Sequence, residues 1–321
     1  MTTIDRDSVP AIAMLGYGAI ADMHARAFHD LGVRILSVAG PNAAEVQAFA
    51  LRHEIEHWSV DVDEAIMAPD VQAVVIASPS AVHFEQARAA IEAGRHVLVE
   101  IPLALSAGEA ETLVTRAQEA KRVLMVCHSI RYSEPFRVAR AAIEQIGLEP
   151  TNVVARHLFL RRENVGWTGR QRSWTDSLLW HQGGHVVDVV LGLLGAPVSE
   201  VTSVVGRVWQ ETGVPMDYGI TLRTPAGAVA TISLSYNAQI ATNDYLVVGE
   251  QDMIEIAGPN VANSGGPIFQ GQDMATVHGN SVVAQDRDFV SSITSGRRPV
   301  TAAEAILPAM RILQAVQDRT A

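Results

Sequence analysis

A short apolar run, Ala11–Leu15, feeds directly into Gly16-Tyr17-Gly18-Ala19-Ile20-Ala21 and then into an amphipathic stretch. This order of strand, tight turn and helix constrains the fold more than any other feature of the chain. Gly16 permits the turn, Gly18 lets phosphates approach the backbone, and Ala21 keeps helix and strand close. The helix start offers free N–H groups and a positive dipole end to an anion. The run is GxGxxA, the form of a dinucleotide-binding turn when it lies inside a βαβ unit. The first 127 residues supply that unit. Strands are expected at Ala11–Leu15, Arg34–Ala39, Ala73–Ala77, His96–Val99 and Val123–Val126, with helices at Ile20–Leu31, Ala43–Arg52, Ala81–Ala93 and Ala107–Ala120. Such alternation makes a parallel sheet with crossover helices.

Past about residue 150 the rhythm changes. Strand-like segments follow one another at Asn152–Leu160, Glu200–Gln210, Tyr218–Thr224, Ala228–Tyr236 and Tyr245–Glu250, the pattern of a mostly antiparallel sheet. One helix, Ser177–Leu194, interrupts them, and Gly195 and Pro197 end it. Gly258–Gly271 reads as a mobile loop, and helices near Gln285–Ser295 and Ala302–Arg319 close the chain. The expected fold class is therefore α/β followed by α+β. A Rossmann dinucleotide-binding domain spans 1–128, and an open-faced sheet domain for substrate binding and oligomerisation spans 129–321. The C-terminal helix is free to pack back on the first domain.

A length of 321 residues, 48% hydrophobic and 18% charged, suits two globular domains. No apolar run reaches the roughly 18 residues of a membrane span, and MTTIDRDSVP lacks a signal-peptide core. The single cysteine, Cys127, forms no internal disulfide. Together these point to a cytoplasmic protein without a membrane partner. A net charge of −11 argues against nucleic acid. Of 24 basic residues only Lys121 is a lysine, so almost any lysine-based mechanism is excluded.

The second strand ends in Ala39-Gly40-Pro41-Asn42, where an NAD site usually carries Asp or Glu for the ribose 2′-hydroxyl. Gly40 removes the carboxylate that would repel a 2′-phosphate, and Asn42 can donate a hydrogen bond to one. NADP is the expected cofactor, with NAD as the alternative.

Arg161–Asp188 carries four arginines, three tryptophans, two histidines and closes on Asp188. That mixture fits a wall that grips an anion and presents a base to it. His181, His185 and Asp188 fall at i, i+4 and i+7, within about 60° on one face of a regular helix. One imidazole can take a hydroxyl proton while Asp188 orients it. Two other readings stay open: satisfied polar groups at a domain junction, or a zinc site, for which further ligands are lacking. Arg161 and Arg162 should diverge to opposite faces of a strand end. Arg162 and Arg172 are the expected carboxylate clamp, and Trp174 and Trp180 the walls for a flat ring, with plain packing as the alternative.

Residues ASPSAVHFEQARAAIEAGRHVLVEIPLAL (77–105), GYGAIA and His185-Val-Val-Asp188 resemble the glucose–fructose oxidoreductase / inositol dehydrogenase / rhizopine catabolism (Gfo/Idh/MocA) family over essentially the whole chain. In that family the fifth strand ends in Glu-Lys-Pro, and the lysine works at the substrate carbon. Here the triplet is Glu100-Ile101-Pro102. EIPL, FLRREN, RSWTD, LLWH and H-x-x-D further resemble a subgroup that oxidises the cyclic hemiacetal of 4-carboxy-2-hydroxymuconate-6-semialdehyde to a 2-pyrone dicarboxylate, and which also carries isoleucine in the triplet. The resemblance implies metal-free hydride transfer with His185 as base, Asp188 as its partner and His181 as a substrate hydrogen-bond donor. It also implies a nucleotide site of Gly16, Tyr17, Gly18, Ala19, Ile20, Gly40, Asn42, Ser78, Pro79, His83, Glu100, Ile101, Pro102 and Arg131. Glu100 would hold the nicotinamide ribose, and Arg131 would lie near diphosphate or substrate. A sugar or cyclitol dehydrogenase and a catalytically silent NADP-binding regulator are the competing readings. The open sheet suggests a homodimer or homotetramer.

Overall fold

The computed structural model describes residues 9–163, 174 and 177–319. It divides into two compact units. Residues 9–128 and 282–307 form the first, and 129–163, 174, 177–281 and 308–319 the second.

The first unit alternates β1 (Ile12–Leu15), α1 (Ala19–Asp30), β2 (Ile35–Ala39), α2 (Ala43–Arg52), β3 (His57–Ser59), α3 (Val62–Met67), β4 (Ala73–Ile76), α4 (His83–Glu92), β5 (His96–Val99), α5 (Ala107–Glu119) and β6 (Leu124–Val126). The strands form one parallel sheet in the order β3-β2-β1-β4-β5-β6. Chain order reverses between β1 and β4, which is where a doubly wound sheet opens its ligand crevice, outside the strands' C-terminal ends. Both central strands are wholly buried, as a sheet covered on two faces requires. Asn42 and Ser106 start α2 and α5 by accepting the backbone N–H of Glu45 and Glu109. Beyond β6 the unit is completed from the far end of the chain: Val126 N–H donates to Thr301 O, and Met125 bridges to Ala302.

The second unit contains α6 (Glu134–Gln145), β7 (Asn152–Leu160), α7 (Gly184–Leu194), β8 (Glu200–Val205), β9 (Asp217–Arg223), β10 (Val229–Ser235), β11 (Asn237–Val248), β12 (Met253–Ala257), β13 (Asn260–Asn263) and β14 (Gly266–Gln270). Two last helices follow, α8 (Met274–Ser295) and α9 (Ala303–Asp318). The eight-stranded sheet runs β14-β13-β12-β11-β7-β10-β9-β8. All its pairs are antiparallel except β7–β10, which runs parallel from Asn152↔Val229 to Leu158↔Ser235. Along β9 and β10 burial alternates, with Tyr218, Ile220, Leu222, Ala230, Ile232 and Leu234 inward. Helix α7 lies against that inner face, and Gly183 matters there: a Cβ would come 3.2 Å from Leu234.

Three sequence expectations need correction. Gly258–Gly271 is a hairpin rather than a loop, because Gly258 and Gly266 take positive φ at the corners of two short strands. Helix α8 begins at Met274, well before Gln285. Ser177–Leu194 is not one regular helix: Leu179–Gly183 winds as a π-helical turn before α7 begins at Gly184. Among the described residues no helix is long and apolar enough to cross a membrane.

Candidate active site

In the first unit, the turn after β1 has the shape its glycines predict. Gly16 sits at φ +111°, and a Cβ there would meet Ala77 O at 2.4 Å. Gly18 is the N-cap of α1, makes no side-chain cap, and faces open space. The uncapped N–H groups at the start of α1, with Ala19 and Ile20 in its first turn, therefore suit a phosphate group. Beside them, Gly40 is not simply vacant. A Cβ on it would lie 2.2 Å from the Tyr17 ring, so the tyrosine occupies the space that the sequence leaves empty. Asn42 Oδ1 accepts Glu45 N–H at 3.3 Å, which leaves the amide N–H₂ available for a ligand.

After β4, Ser78 Oγ donates to Gln86 Oε1, and Pro79 opens a 3₁₀ turn at Ser80–Val82. His83 is buried, and its ring contacts Pro102 O at 2.7 Å and Ser78 O at 2.9 Å. Its two nitrogens thus staple the loops after β4 and β5 together, which corrects the expectation of a direct ligand contact. Ile101 is buried, and its peptide to Pro102 is cis. Lys121 lies between α5 and β6, at the N-terminal ends of the strands, and cannot stand in for the absent lysine. Glu100 sits at the C-terminal end of β5 and meets His24, which in turn meets Asp286, two residues that sequence reasoning missed. His24 Nε2 lies 3.0 Å from Glu100 Oε1, and His24 Nδ1 lies 2.7 Å from Asp286 Oδ2. A histidine on the apolar face of α1, amid Ala21, Ala25 and Phe28, was the available signal.

In the second unit, half-buried His181 lies in the π turn and half-buried His185 in the first turn of α7. The π-helical turn between them changes the angular offset from that of a regular helix. Asp188 is also reassigned. Arg131, in the turn Ser129–Tyr132, donates from Nε to Asp188 Oδ2 at 2.7 Å and from an Nη to Oδ1 at 2.6 Å. Both oxygens of a carboxylate that is 1% exposed thus face one guanidinium. Arg131 is thus a partner of Asp188 that the sequence reading did not pair with it. Burial, and then Asp188 and Asp244, push the neighbouring Tyr245 hydroxyl above its ordinary range. His157 on β7 contacts Asn243 Oδ1, and burial holds its pKa below the usual histidine value despite hydrogen bonds to Asn243 and Gln182.

Arg161 and Arg162 both reach Tyr236 but stack on different indoles. The Arg161 guanidinium lies over the rings of Trp174 (6.0 Å) and Tyr236 (5.5 Å). Arg162 lies 4.6 Å over Trp209 and donates to Tyr236 O at 2.8 Å. Arg207, which the sequence did not single out, lies 4.6 Å over the same indole. Among the described residues no acidic side chain pairs with Arg162 or Arg207. Trp174 is half-buried against Tyr236, whereas Trp180 is buried and donates its indole N–H to Gln317 Oε1. Trp180 is therefore a packing residue, because it is 3% exposed and leaves little face for a ligand. Arg172 lies outside the described residues.

Comparison with known proteins covers both units. The profile of the "Oxidoreductase family, NAD-binding Rossmann fold" (GFO_IDH_MocA) matches residues 11–128, and that of "Bacterial oxidoreductases, C-terminal" matches residues 136–256. The chain is 32% identical over 319 residues to the 4-carboxy-2-hydroxymuconate-6-semialdehyde dehydrogenase of Sphingobium sp. (strain NBRC 103272 / SYK-6), covering 94% of this chain and 96% of that one. It is 26% identical to the NADP⁺-dependent scyllo-inositol 2-dehydrogenase of Bacillus subtilis (strain 168), covering 96% and 92%. Among solved structures, an Agrobacterium radiobacter oxidoreductase in complex with NAD⁺, L-tartaric acid and magnesium matches with TM-score 0.84 at 18% identity, covering 96% and 95%.

Proposed function

The chain belongs to the Gfo/Idh/MocA family of NAD(P)-dependent oxidoreductases acting on CH–OH groups, and from that premise we propose that it is an NADP-dependent dehydrogenase for a cyclic hemiacetal bearing carboxylates. The observation that carries the substrate class is the Arg162–Trp209–Arg207 stack. Two guanidinium groups over one indole, with no acidic partner among the described residues, suit a carboxylate on a flat, unsaturated ring. A neutral polyol offers such a pair hydroxyl acceptors but no counter-charge. The similarity to the carboxylated-semialdehyde dehydrogenase over nearly the full chain supports the same class. NADP is preferred because no acid stands at Gly40 and the Asn42 amide can still donate.

When bound, the nicotinamide supplies the hydride acceptor. Gly16, Gly18 and the first turn of α1 would hold the diphosphate, and Glu100 the ribose. In the second unit His185 takes the hydroxyl proton. Its Nδ1 is buried, so Nε2 is the nitrogen that exchanges the proton. Arg131 neutralises Asp188, which fixes α7 and with it the histidine.

The test is reduction of NADP⁺ and NAD⁺ with 4-carboxy-2-hydroxymuconate-6-semialdehyde, scyllo-inositol and common sugars. The carboxylated substrate should be turned over best. Arg207→Ala should raise its KM by about 10-fold or more, the scale of a lost charge-assisted hydrogen bond, with cofactor affinity unchanged. His185→Asn should lower kcat by about 10²–10⁴-fold with cofactor still bound. A higher kcat/KM for scyllo-inositol would overturn the carboxylate reading in favour of a cyclitol dehydrogenase, the class to which the Bacillus relative belongs by name.

A further inference from the structure

The first unit buries a chain of three ionisable groups. Asp286 on α8 and His24 on α1 are both 0% exposed, and Glu100 at the end of β5 is 17% exposed. His24 stands between the two acids, with Nδ1 2.7 Å from Asp286 Oδ2 and Nε2 3.0 Å from Glu100 Oε1. Glu100 Oε2 accepts the Ile101 N–H at 3.2 Å, so the carboxylate is held at both oxygens.

Two ionised carboxylates only accept hydrogen bonds, so an imidazole that satisfies both donates from both nitrogens. Burial alone would strip the His24 proton. The charge and hydrogen bond of Asp286, followed by hydrogen bonds to Cys127 and Glu100, outweigh it and raise the histidine well above its ordinary range. The same proton holds Glu100 below the usual carboxylate range, against its own burial. His24, Glu100 and Cys127 also bring three metal-binding donor types close together. A ring that donates at both nitrogens offers no lone pair, so a metal there would have to displace a proton held by two acids.

We propose that His24 and Asp286 are positioning residues for the dinucleotide: they fix the Glu100 carboxylate, at the C-terminal end of β5, for the hydroxyls of the ribose beside the nicotinamide. This rests on the reading above that the first unit binds NADP or NAD with Glu100 at that ribose. The groups that face His24 are Asp286 from α8, Glu100 after β5 and the Cys127 thiol after β6, with Phe28 stacked on its own helix. His83 acts on Glu100 from α4.

The position of Glu100 makes the test specific. ADP carries only the adenosine side of the dinucleotide, whereas ADP-ribose adds the second ribose without the nicotinamide. Dissociation constants for NADPH, NADH, ADP-ribose and ADP should be measured by calorimetry on the wild-type chain and on His24→Gln, Asp286→Asn and Glu100→Gln. His24→Gln should weaken NADPH, NADH and ADP-ribose by about 10–100-fold, the scale of one hydrogen bond to a charged group, and ADP by less than about twofold. Without the imidazolium the Glu100 carboxyl protonates more readily. ADP-ribose affinity in His24→Gln should therefore fall between about pH 7 and about pH 5, where the wild type stays flat. Glu100→Gln should add little to His24→Gln, because both act through one carboxylate. If His24→Gln does not fold, Asp286→Asn and Glu100→Gln carry the same ADP against ADP-ribose comparison. Equal losses for ADP and ADP-ribose would mean that the triad only supports the fold, and would overturn the proposal. A wild-type chain that binds none of the four nucleotides would instead bring down the dinucleotide reading itself, and the proposal with it.

Discussion

Removing Arg131 strands a negative charge in the interior. Asp188 is 1% exposed, both its oxygens are within 2.7 Å of the guanidinium, and Arg131 itself is only 18% exposed. Breaking such a pair from one side costs about 3–5 kcal/mol, because the remaining charge keeps its desolvation penalty and loses its compensation. Arg131→Ala should therefore lower the unfolding free energy of the second unit by about that amount. The double variant Arg131→Met, Asp188→Leu removes both charges and keeps apolar volume, so it should recover most of the loss. Urea unfolding followed by circular dichroism at neutral pH measures both, with the slope checked for unchanged cooperativity. If Asp188 serves mainly to orient His185 and the arginine is incidental, the pattern inverts. Arg131→Ala would then stay within about 1 kcal/mol of wild type. That result, or a double variant no more stable than the single, would refute the assignment.

Two further outcomes follow from local geometry. His96 accepts the Val123 N–H at 2.9 Å, and burial, then Arg122, lower its pKa to about 4. The fold thus favours the neutral ring: its contribution is complete above the ordinary histidine value and is lost as pH falls from about 6.5 towards 4. The drop in urea midpoint over that window should be smaller in His96→Asn than in wild type, and identical slopes would contradict it. At Gly40, a side chain meets the Tyr17 ring at 2.2 Å. Gly40→Asp alone should weaken NADPH and NADH together in fluorescence titrations, by about 10-fold. Discrimination against NADPH should emerge only when Tyr17→Ala clears the space; selectivity reversed by Gly40→Asp alone would show that the ring yields freely.

What the sequence made legible was local. The strand, GxGxxA turn and helix at Ile12–Asp30 need only neighbours in the chain, and their periodicity and glycines are visible there. Strand β3 was not visible: it has three residues, two of them exposed, and carries no pattern. The hairpin β13–β14 was hidden because its glycines read as a loop, although two of them are turn corners. The site behaved in the same way. His185 and Asp188 were singled out by their spacing, but Arg131, which pairs with Asp188, lies 57 residues away, and Asp286, which pairs with His24, lies 262 residues away. A spacing argument also assumes a uniform helix, and the π turn at Leu179–Gly183 breaks that assumption just where it was used. The Gly183-Gly184 pair was the one local hint that the winding changes.

A unit assembled from both ends of the chain sets a schedule for synthesis. The ribosome releases residues 9–128 first, yet the acid that compensates His24 and the strand-like segment that pairs beyond β6 belong to residues 282–307. About 150 residues intervene, which takes about 8–30 s at ordinary elongation rates. Throughout that interval the nascent nucleotide-binding unit has an edge at β6 and a histidine pocket without its aspartate. It waits in the state that chaperones recognise, and a stop codon anywhere before residue 282 would leave it there permanently.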